Sequence, residues 1–265
     1  MHNAAFAALS LNWRYLAFEV HPDDLHAAIK GAKAMGFAGL NLTVPHKLLA
    51  LELMDGLDMS AKKWGAVNTV RFESVNVNGR LKTHATGFNT DADAIVAALR
   101  EDLKLELRGA SVLLLGAGGA GRTAALRLAA EKVAKLFLVN RTRGKAEAVA
   151  AEIKKQFPFV CVTVGYPKSG VDLLINATSL GLKPDDKLPL DKKRFPMKQA
   201  QAVYDMIYRP AETPLLRVAK KAGCRTGNGL GMLLHQGAEA FEIWTGKCAP
   251  LDVMRSALKQ NIYGY

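Results

Sequence analysis

Cysteine is scarce. The 265 residues contain three, Cys161, Cys224 and Cys248, far apart and odd in number. They make neither a disulfide framework nor a Cys-x-x-Cys metal pair. A cytoplasmic protein without a metal site is therefore expected. Long hydrophobic runs are missing too: no stretch of 18 apolar residues is free of charge, so no membrane-spanning helix is expected. The Ala-rich start, MHNAAFAALSLNWR, has no Lys or Arg ahead of its apolar part. That argues against a secretory leader. Internal repeats and low-complexity linkers are absent. Acidic residues are the minority charge, 24 against 36 Lys and Arg, for a net charge of +12. The surplus fits nucleic acid, through a basic patch, or an anionic small molecule. Basic residues are mostly scattered, with one local excess: seven Lys and Arg against one acid, Glu131, from Arg122 to Lys145.

What is present is an ordinary globular balance, 49% hydrophobic and 23% charged, which excludes a disordered or fibrous chain. The length fits one large domain or two smaller ones. Residues 23–35 predict a helix with an acidic first turn, stopped by Gly36. AGLNLTV predicts a short buried strand cut off by Pro45, with helical material through about Lys63. AVNTVRFES is β-rich, and NVNGRLKTH reads as a turn and a returning strand. ADAIVAALREDLK predicts a helix with Thr90 or Asp91 near its N-cap.

From Gly109 the pattern becomes strand–helix alternation. SVLLLG, KLFLVN, VDLLINAT and QAVYDMIY predict strands, and helices follow the first two. Such alternation predicts an α/β fold with a parallel sheet covered by helices. A domain boundary is expected inside or beside the helix at 91–106. GMLLHQGAEAFEIWTG and the residues after it predict one or two further helices.

Gly116-Ala117-Gly118-Gly119-Ala120-Gly121 fits G-x-G-x-x-G between a strand and a helix. The first glycine suits the tight turn, the second lets backbone approach a pyrophosphate, and the third permits close helix–strand packing. The helix N-terminus offers unpaired N–H groups to the anion. A merely tight turn is the alternative. At the end of the next strand, NAD enzymes carry an acid for the ribose hydroxyls. Here Asn140-Arg141-Thr142-Arg143 and Lys145 stand instead. Arginine binds a 2′-phosphate through its planar fork, where a carboxylate would repel it. The expected cofactor is therefore NADP.

Three polar segments interrupt apolar surroundings: Asn41–Lys47, Ala66–Thr69 and Gly87–Asp91. Lys47 and Asp91 make a candidate proton-handling pair. Taken singly, each segment also fits caps and solvated helix residues.

NLTVPHK, GAVNT, GFNTD, LLLGAGGAGRTAALRLA, NRT, INATSLG, YDMIYRPAETPLL and GNGLGMLLHQGAEAFEIWTG follow one another in this order. In this the chain resembles the shikimate dehydrogenases, from about His2 to the C-terminus. The resemblance implies reduction of 3-dehydroshikimate to shikimate with NADPH, on the route to aromatic amino acids. It also implies an N-terminal substrate domain and a Rossmann-type NADP-binding domain with the active site in the cleft between them. Residues 1–90, completed by helices at about 232–265, would form the substrate-binding catalytic domain, and residues 91–231 the NADP domain.

By the same matching, Lys47 and Asp91 are the catalytic pair. Thr43, Asn68, Tyr208 and Gln236, with that pair, contact the substrate. Gly116, Gly118, Gly119, Ala120 and Gly121 would cradle the pyrophosphate, and Asn140, Arg141, Thr142 and Lys145 the 2′-phosphate. Thr178, Met206 and Gly229 would line the nicotinamide side, although core packing is an alternative for Met206. A quinate/shikimate or aminoshikimate dehydrogenase fits the same motifs. A non-catalytic NADP-binding paralogue is the reading from another class. The expected partner is a small-molecule substrate, with neither nucleic acid nor membrane, for a monomer or homodimer. In the family a strand and a Ser-x-Ser-Pro segment, whose serines bind the substrate carboxylate, precede the His-Asn that stands here as His2-Asn3. The sequence carries neither, so weak shikimate binding beside intact NADP binding is expected.

Overall fold

The computed structural model describes residues 1–77, 79–183 and 185–264. Two compact units emerge. One is Met1–Asp91 with Gln236–Asn261, and the other Ala92–His235 with Ile262–Gly264.

The first unit runs α1 (His2–Ala8), α2 (Leu25–Ala34), β1 (Gly39–Asn41), α3 (His46–Leu49), β2 (Gly56–Leu57), α4 (Met59–Trp64), β3 (Thr69–Val77) and β4 (Arg80–Phe88). A 3-10 turn at Pro22–Asp24 leads into α2, and Gly36, at φ +73°, takes the left-handed conformation that ends it. The sheet order is β1-β3-β4-β2. β3 and β4 form an antiparallel hairpin with Val77 opposite Arg80. Of its expected turn, Asn78 lies outside the described residues. Leu25, Ile29, Val67, Val70 and Phe72 build the core against one face of the sheet.

Two expectations are corrected here. The strand expected through Val44 stops at Asn41: the Leu42 N–H still donates to the Asn68 carbonyl at 2.8 Å, and the chain then leaves the sheet in a loop that contains Pro45, which has no N–H for a ladder. The helical stretch expected to reach Lys63 is broken by β2, whose two residues pair in parallel with Thr86 and Gly87. Two residues carry no readable periodicity.

The second unit begins with α5 (Asp91–Leu103), the helix that leaves the first. It continues through β5 (Ser111–Leu115), α6 (Gly119–Ala130), β6 (Lys135–Val139), α7 (Arg143–Gln156), β7 (Cys161–Val164), β8 (Val171–Asn176), β9 (Ala200–Asp205), α8 (Pro214–Lys221) and β10 (Arg225–Asn228). Every strand is parallel, in the order β10-β9-β8-β5-β6-β7. The central strands are buried on both faces, which is why they read as continuous apolar runs. β5 has β6 on one side and β8 on the other, so the strand order reverses at its end. In open α/β sheets such a switch point marks the ligand crevice. The chain ends in α9 (Leu230–Thr245) and α10 (Leu251–Tyr263). Among the described residues, no helix is long and apolar enough to cross a membrane.

Candidate active site

In the first unit, Lys47 stands on α3 and Asp91 opens α5. The Lys47 Nζ donates to Asp91 Oδ2 at 2.6 Å. The other carboxylate oxygen, Oδ1, accepts from Asn68 Nδ2 at 3.0 Å. Asn68 is held in turn: its Nδ2 also donates to Thr90 Oγ1 at 2.9 Å, and its Oδ1 accepts from the Thr90 N–H at 2.8 Å. Thr69 accepts from Asn41 Nδ2 at 3.0 Å, and Tyr15 donates its hydroxyl to Asn41 Oδ1 at 3.0 Å. Asn68, Thr69 and Thr90 are buried. The Lys47 and Asp91 side chains retain 27% and 16% exposure, enough for a small molecule to reach them. Both carboxylate oxygens are thus fixed, and the ammonium is fixed by the carboxylate. An ion pair of this kind is shorter and stronger than a neutral hydrogen bond.

Asn41, Thr69 and Thr90 lie within the three polar segments of the sequence but are not among its individually named site residues. Their signal was polar side chains at the ends of apolar strands. Thr43 is exposed in the loop between β1 and α3. Gln236, half-buried on α9, belongs to this unit as well.

In the second unit the glycine turn closes β5. Gly116 has φ +106°, where side chains rarely fit. A Cβ on Gly121 would lie 2.3 Å from the Gly116 carbonyl oxygen, so this glycine serves close packing. Gly118 and Gly119 differ: a Cβ at either meets nothing within 4 Å. They and Ala120 are exposed at the start of α6, and Gly118 makes no side-chain cap. Open space beside uncapped N–H groups is the shape a phosphate fills.

Asn140 turns toward this loop. Its Oδ1 accepts from the Ala117 N–H at 3.0 Å, and its Nδ2 donates to the Thr142 carbonyl at 2.8 Å. It therefore ties the glycine turn to the end of β6. Arg143 is paired with Glu147 at 2.7 Å. Arg141 and Lys145 are exposed, and neither forms an ion pair among the described residues. Thr142 precedes α7 and leaves its first N–H groups without a side-chain cap. This end of β6 thus presents free cations and a helix N-terminus, both suited to a phosphate.

Thr178, Met206 and Gly229 gather beyond the ends of β8, β9 and β10. Met206 N–H donates to the Asn176 carbonyl at 2.9 Å, and Gly229 N–H to the Ile207 carbonyl at 3.1 Å. A Cβ on Gly229 would stand 2.1 Å from the Met206 carbonyl oxygen, so only glycine lets these loops meet. Tyr208 is 39% exposed in the same unit.

A doubly wound parallel sheet with a glycine turn at its switch point is the architecture of dinucleotide-dependent enzymes, and that is the class the fold and site define. Family models agree along the chain. Residues 1–70 match the shikimate dehydrogenase substrate binding domain, 98–179 the shikimate / quinate 5-dehydrogenase family, and 229–259 the shikimate 5′-dehydrogenase C-terminal domain. The NADP(+) shikimate dehydrogenase of Methanopyrus kandleri is 41% identical over 269 residues, covering 99% of this chain and 90% of that protein. A crystal structure of a shikimate dehydrogenase in complex with NADP+ superposes with a TM-score of 0.87 at 39% identity, covering 98% of this chain and 89% of the other. The 5-ketofructose reductase of Gluconobacter sp. strain CHM43 gives 0.83 at 36% identity, covering 98% and 92%. The chain belongs to the shikimate dehydrogenase family.

Proposed function

We propose that this protein reduces 3-dehydroshikimate to shikimate with NADPH. The observation that carries the reading is the Lys47–Asp91 pair, in which Asn68 holds the second carboxylate oxygen. When bound, NADPH supplies the hydride. Lys47 presents its ammonium to the carbonyl oxygen at C3, stabilises the charge that develops there and delivers a proton to it. A cation fixed before the reaction pays no reorganisation cost as that charge appears. Asp91 holds the ammonium and accepts from a substrate hydroxyl. Asn68 keeps Asp91 from turning away. Thr43, Tyr208 and Gln236 are read as further substrate contacts.

The residues present fit the cofactor. Gly118 and Gly119 leave open space at the start of α6 for the pyrophosphate. Arg141 and Lys145 supply unpaired cations for the 2′-phosphate, with Asn140 and Thr142 shaping the turn between them. Thr178, Met206 and Gly229 line the nicotinamide side. Three free cysteines and the absence of a membrane-crossing helix among the described residues support a cytoplasmic enzyme. Within the basic stretch Arg122–Lys145, Arg122, Arg127 and Arg143 are paired with acids and Arg141 and Lys145 lie at the proposed 2′-phosphate site, which supports a small-molecule partner rather than nucleic acid, for a monomer or homodimer. The test is turnover of shikimate and of quinate, each with NADP and with NAD. Faster turnover of quinate would move the assignment to that substrate.

A further inference from the structure

Asp205 is the last residue of β9 and has no solvent exposure. Its Oδ1 accepts from Asn176 Nδ2 at 2.9 Å and from the Ile207 N–H at 3.1 Å. Its Oδ2 accepts from the Thr213 hydroxyl at 2.6 Å. Asn176, equally buried, is the last residue of β8. Its Oδ1 accepts from the Thr178 N–H at 3.0 Å and hydroxyl at 2.7 Å, and its Nδ2 also donates to the Leu180 carbonyl at 3.1 Å. One carboxylate and one carboxamide therefore fasten three pieces of chain: the loop after β8, the turn after β9, and Thr213 at the start of α8.

What these loops face follows from the sheet. The cations and helix N-terminus suited to the 2′-phosphate lie at the end of β6, and the glycine turn at the end of β5. A dinucleotide crosses the switch point outside the carboxyl ends of the strands. Its other half then lies toward β8 and β9, where Thr178 and Met206 stand. We infer that Asp205 is a positioning residue, which through Asn176 and the turn after β9 sets the surface that orients the nicotinamide ring. The inference rests on the proposed placement of the cofactor.

Stability alone does not account for an acid here. Burial pushes the Asp205 carboxyl above its ordinary range, although Thr213, Ile207 and Asn176 all donate to it. A buried carboxylate carries a desolvation cost that these donors offset only in part. What the carboxylate supplies is three directional bonds that fix the loops in one arrangement.

The test uses Asp205→Asn, Thr213→Val and Thr213→Ser in the full chain. The serine variant keeps the hydroxyl that both donates to Asp205 and caps α8 through the Leu216 N–H. Three quantities are measured: affinity for adenosine 2′,5′-bisphosphate, fluorescence of the nicotinamide of bound NADPH, and kcat with the hydride isotope effect from 4-deuterated NADPH. In the asparagine and valine variants, affinity for the bisphosphate is expected to stay unchanged. Their nicotinamide fluorescence should move toward that of free NADPH. Their kcat should fall by ~10- to 100-fold, the scale of a misplaced reacting group, with a larger isotope effect. Thr213→Ser should behave as wild type.

Wild-type fluorescence, kcat and isotope effect in a folded Asp205→Asn, with only a lower Tm, would overturn the inference. If Asp205→Asn does not fold, equal fluorescence and kcat in Thr213→Val and Thr213→Ser would overturn it. A wild-type protein that fails to bind NADPH would overturn it too. A wild type that binds NADPH without oxidising shikimate refutes the substrate assignment, and the fluorescence comparison still decides the role of Asp205.

Discussion

Replacing glycine by alanine should have opposite consequences at two positions of one turn. At Gly121 the added methyl would sit 2.3 Å from the Gly116 carbonyl oxygen, which is backbone and cannot swing aside. Forcing such a group into packed structure costs about 1–3 kcal/mol or more. In a chain of this size each kcal/mol lowers Tm by roughly 2–4 °C. At Gly118 the methyl meets nothing within 4 Å. The backbone there, φ −76° and ψ −173°, is extended and suits any residue. Alanine at a compatible site stabilises by about 0.4–1 kcal/mol through the unfolded state. The space it occupies is the space proposed for the pyrophosphate. Losing one hydrogen bond to that charged group costs about 1.5–3 kcal/mol, or ~10- to 150-fold in affinity. Gly118→Ala should therefore melt at or slightly above the wild-type temperature and bind NADP at least ~10-fold more weakly. Gly121→Ala should melt lower. Thermal unfolding with and without NADP, together with calorimetric titration, separates the two. Wild-type NADP affinity in Gly118→Ala would refute the reasoning, since the open glycine would then have no ligand to admit.

Lys47→Ala and Asp91→Asn should each lower kcat by ~10²–10⁴-fold, with NADP affinity retained. Their combination should be less than additive because the two act as one unit; wild-type kcat in either variant removes that residue from the mechanism. Arg141→Ala should raise KM for NADP by ~10-fold or more and leave KM for NAD nearly unchanged, so equal changes would show that Arg141 does not read the 2′-phosphate. His2 carries a pH dependence. Its ring is buried with both nitrogens lacking a partner among the described residues. Burial, and secondarily the charged amino terminus, lower its pKa from 6.5 to about 4. Between these values the unfolded chain binds the proton and the folded one does not. Stability should thus fall as pH drops through that window, by at most ~3 kcal/mol. Denaturant unfolding of wild type and His2→Phe across it should show a shallower slope in the variant; identical slopes would exclude His2.

The parts of the fold that were legible are those with a long period or a continuous apolar run. β5 and β8 are buried on both faces and stand out as blocks of Val, Leu and Ile, and β6 and β9 read as apolar runs with one exposed residue each, Lys135 and Gln201. β7 and β10 did not stand out. They are the edges of the sheet, and Cys161 and Thr163 are exposed on either side of buried Val162. β2 was hidden because its ladder spans two residues and depends on the distant Thr86 and Gly87.

The glycine turn was readable because its spacing is fixed within six residues, with Gly116 required by its positive φ and Gly121 by close packing. The surroundings of Lys47 were less so. That Asn68 would donate to Asp91, and Thr90 and Thr69 brace Asn68, depends on β3, β4 and α5 meeting at one point. No local pattern encodes that meeting. Asp205 was missed for a related reason. It closes an apolar strand, and its partners Asn176 and Thr213 come from a neighbouring strand and a later helix start.

The most direct test of the proposed chemistry is the rate of NADPH formation by purified protein with shikimate and NADP, measured beside Lys47→Ala. The wild type should form NADPH from shikimate and NADP faster than it forms NADH from shikimate and NAD or NADPH from quinate and NADP. The variant should bind NADP as the wild type does and be slower by ~10²-fold or more. No NADPH formation by the folded wild type, or equal rates in wild type and Lys47→Ala, would contradict the assignment of substrate and proton donor made here.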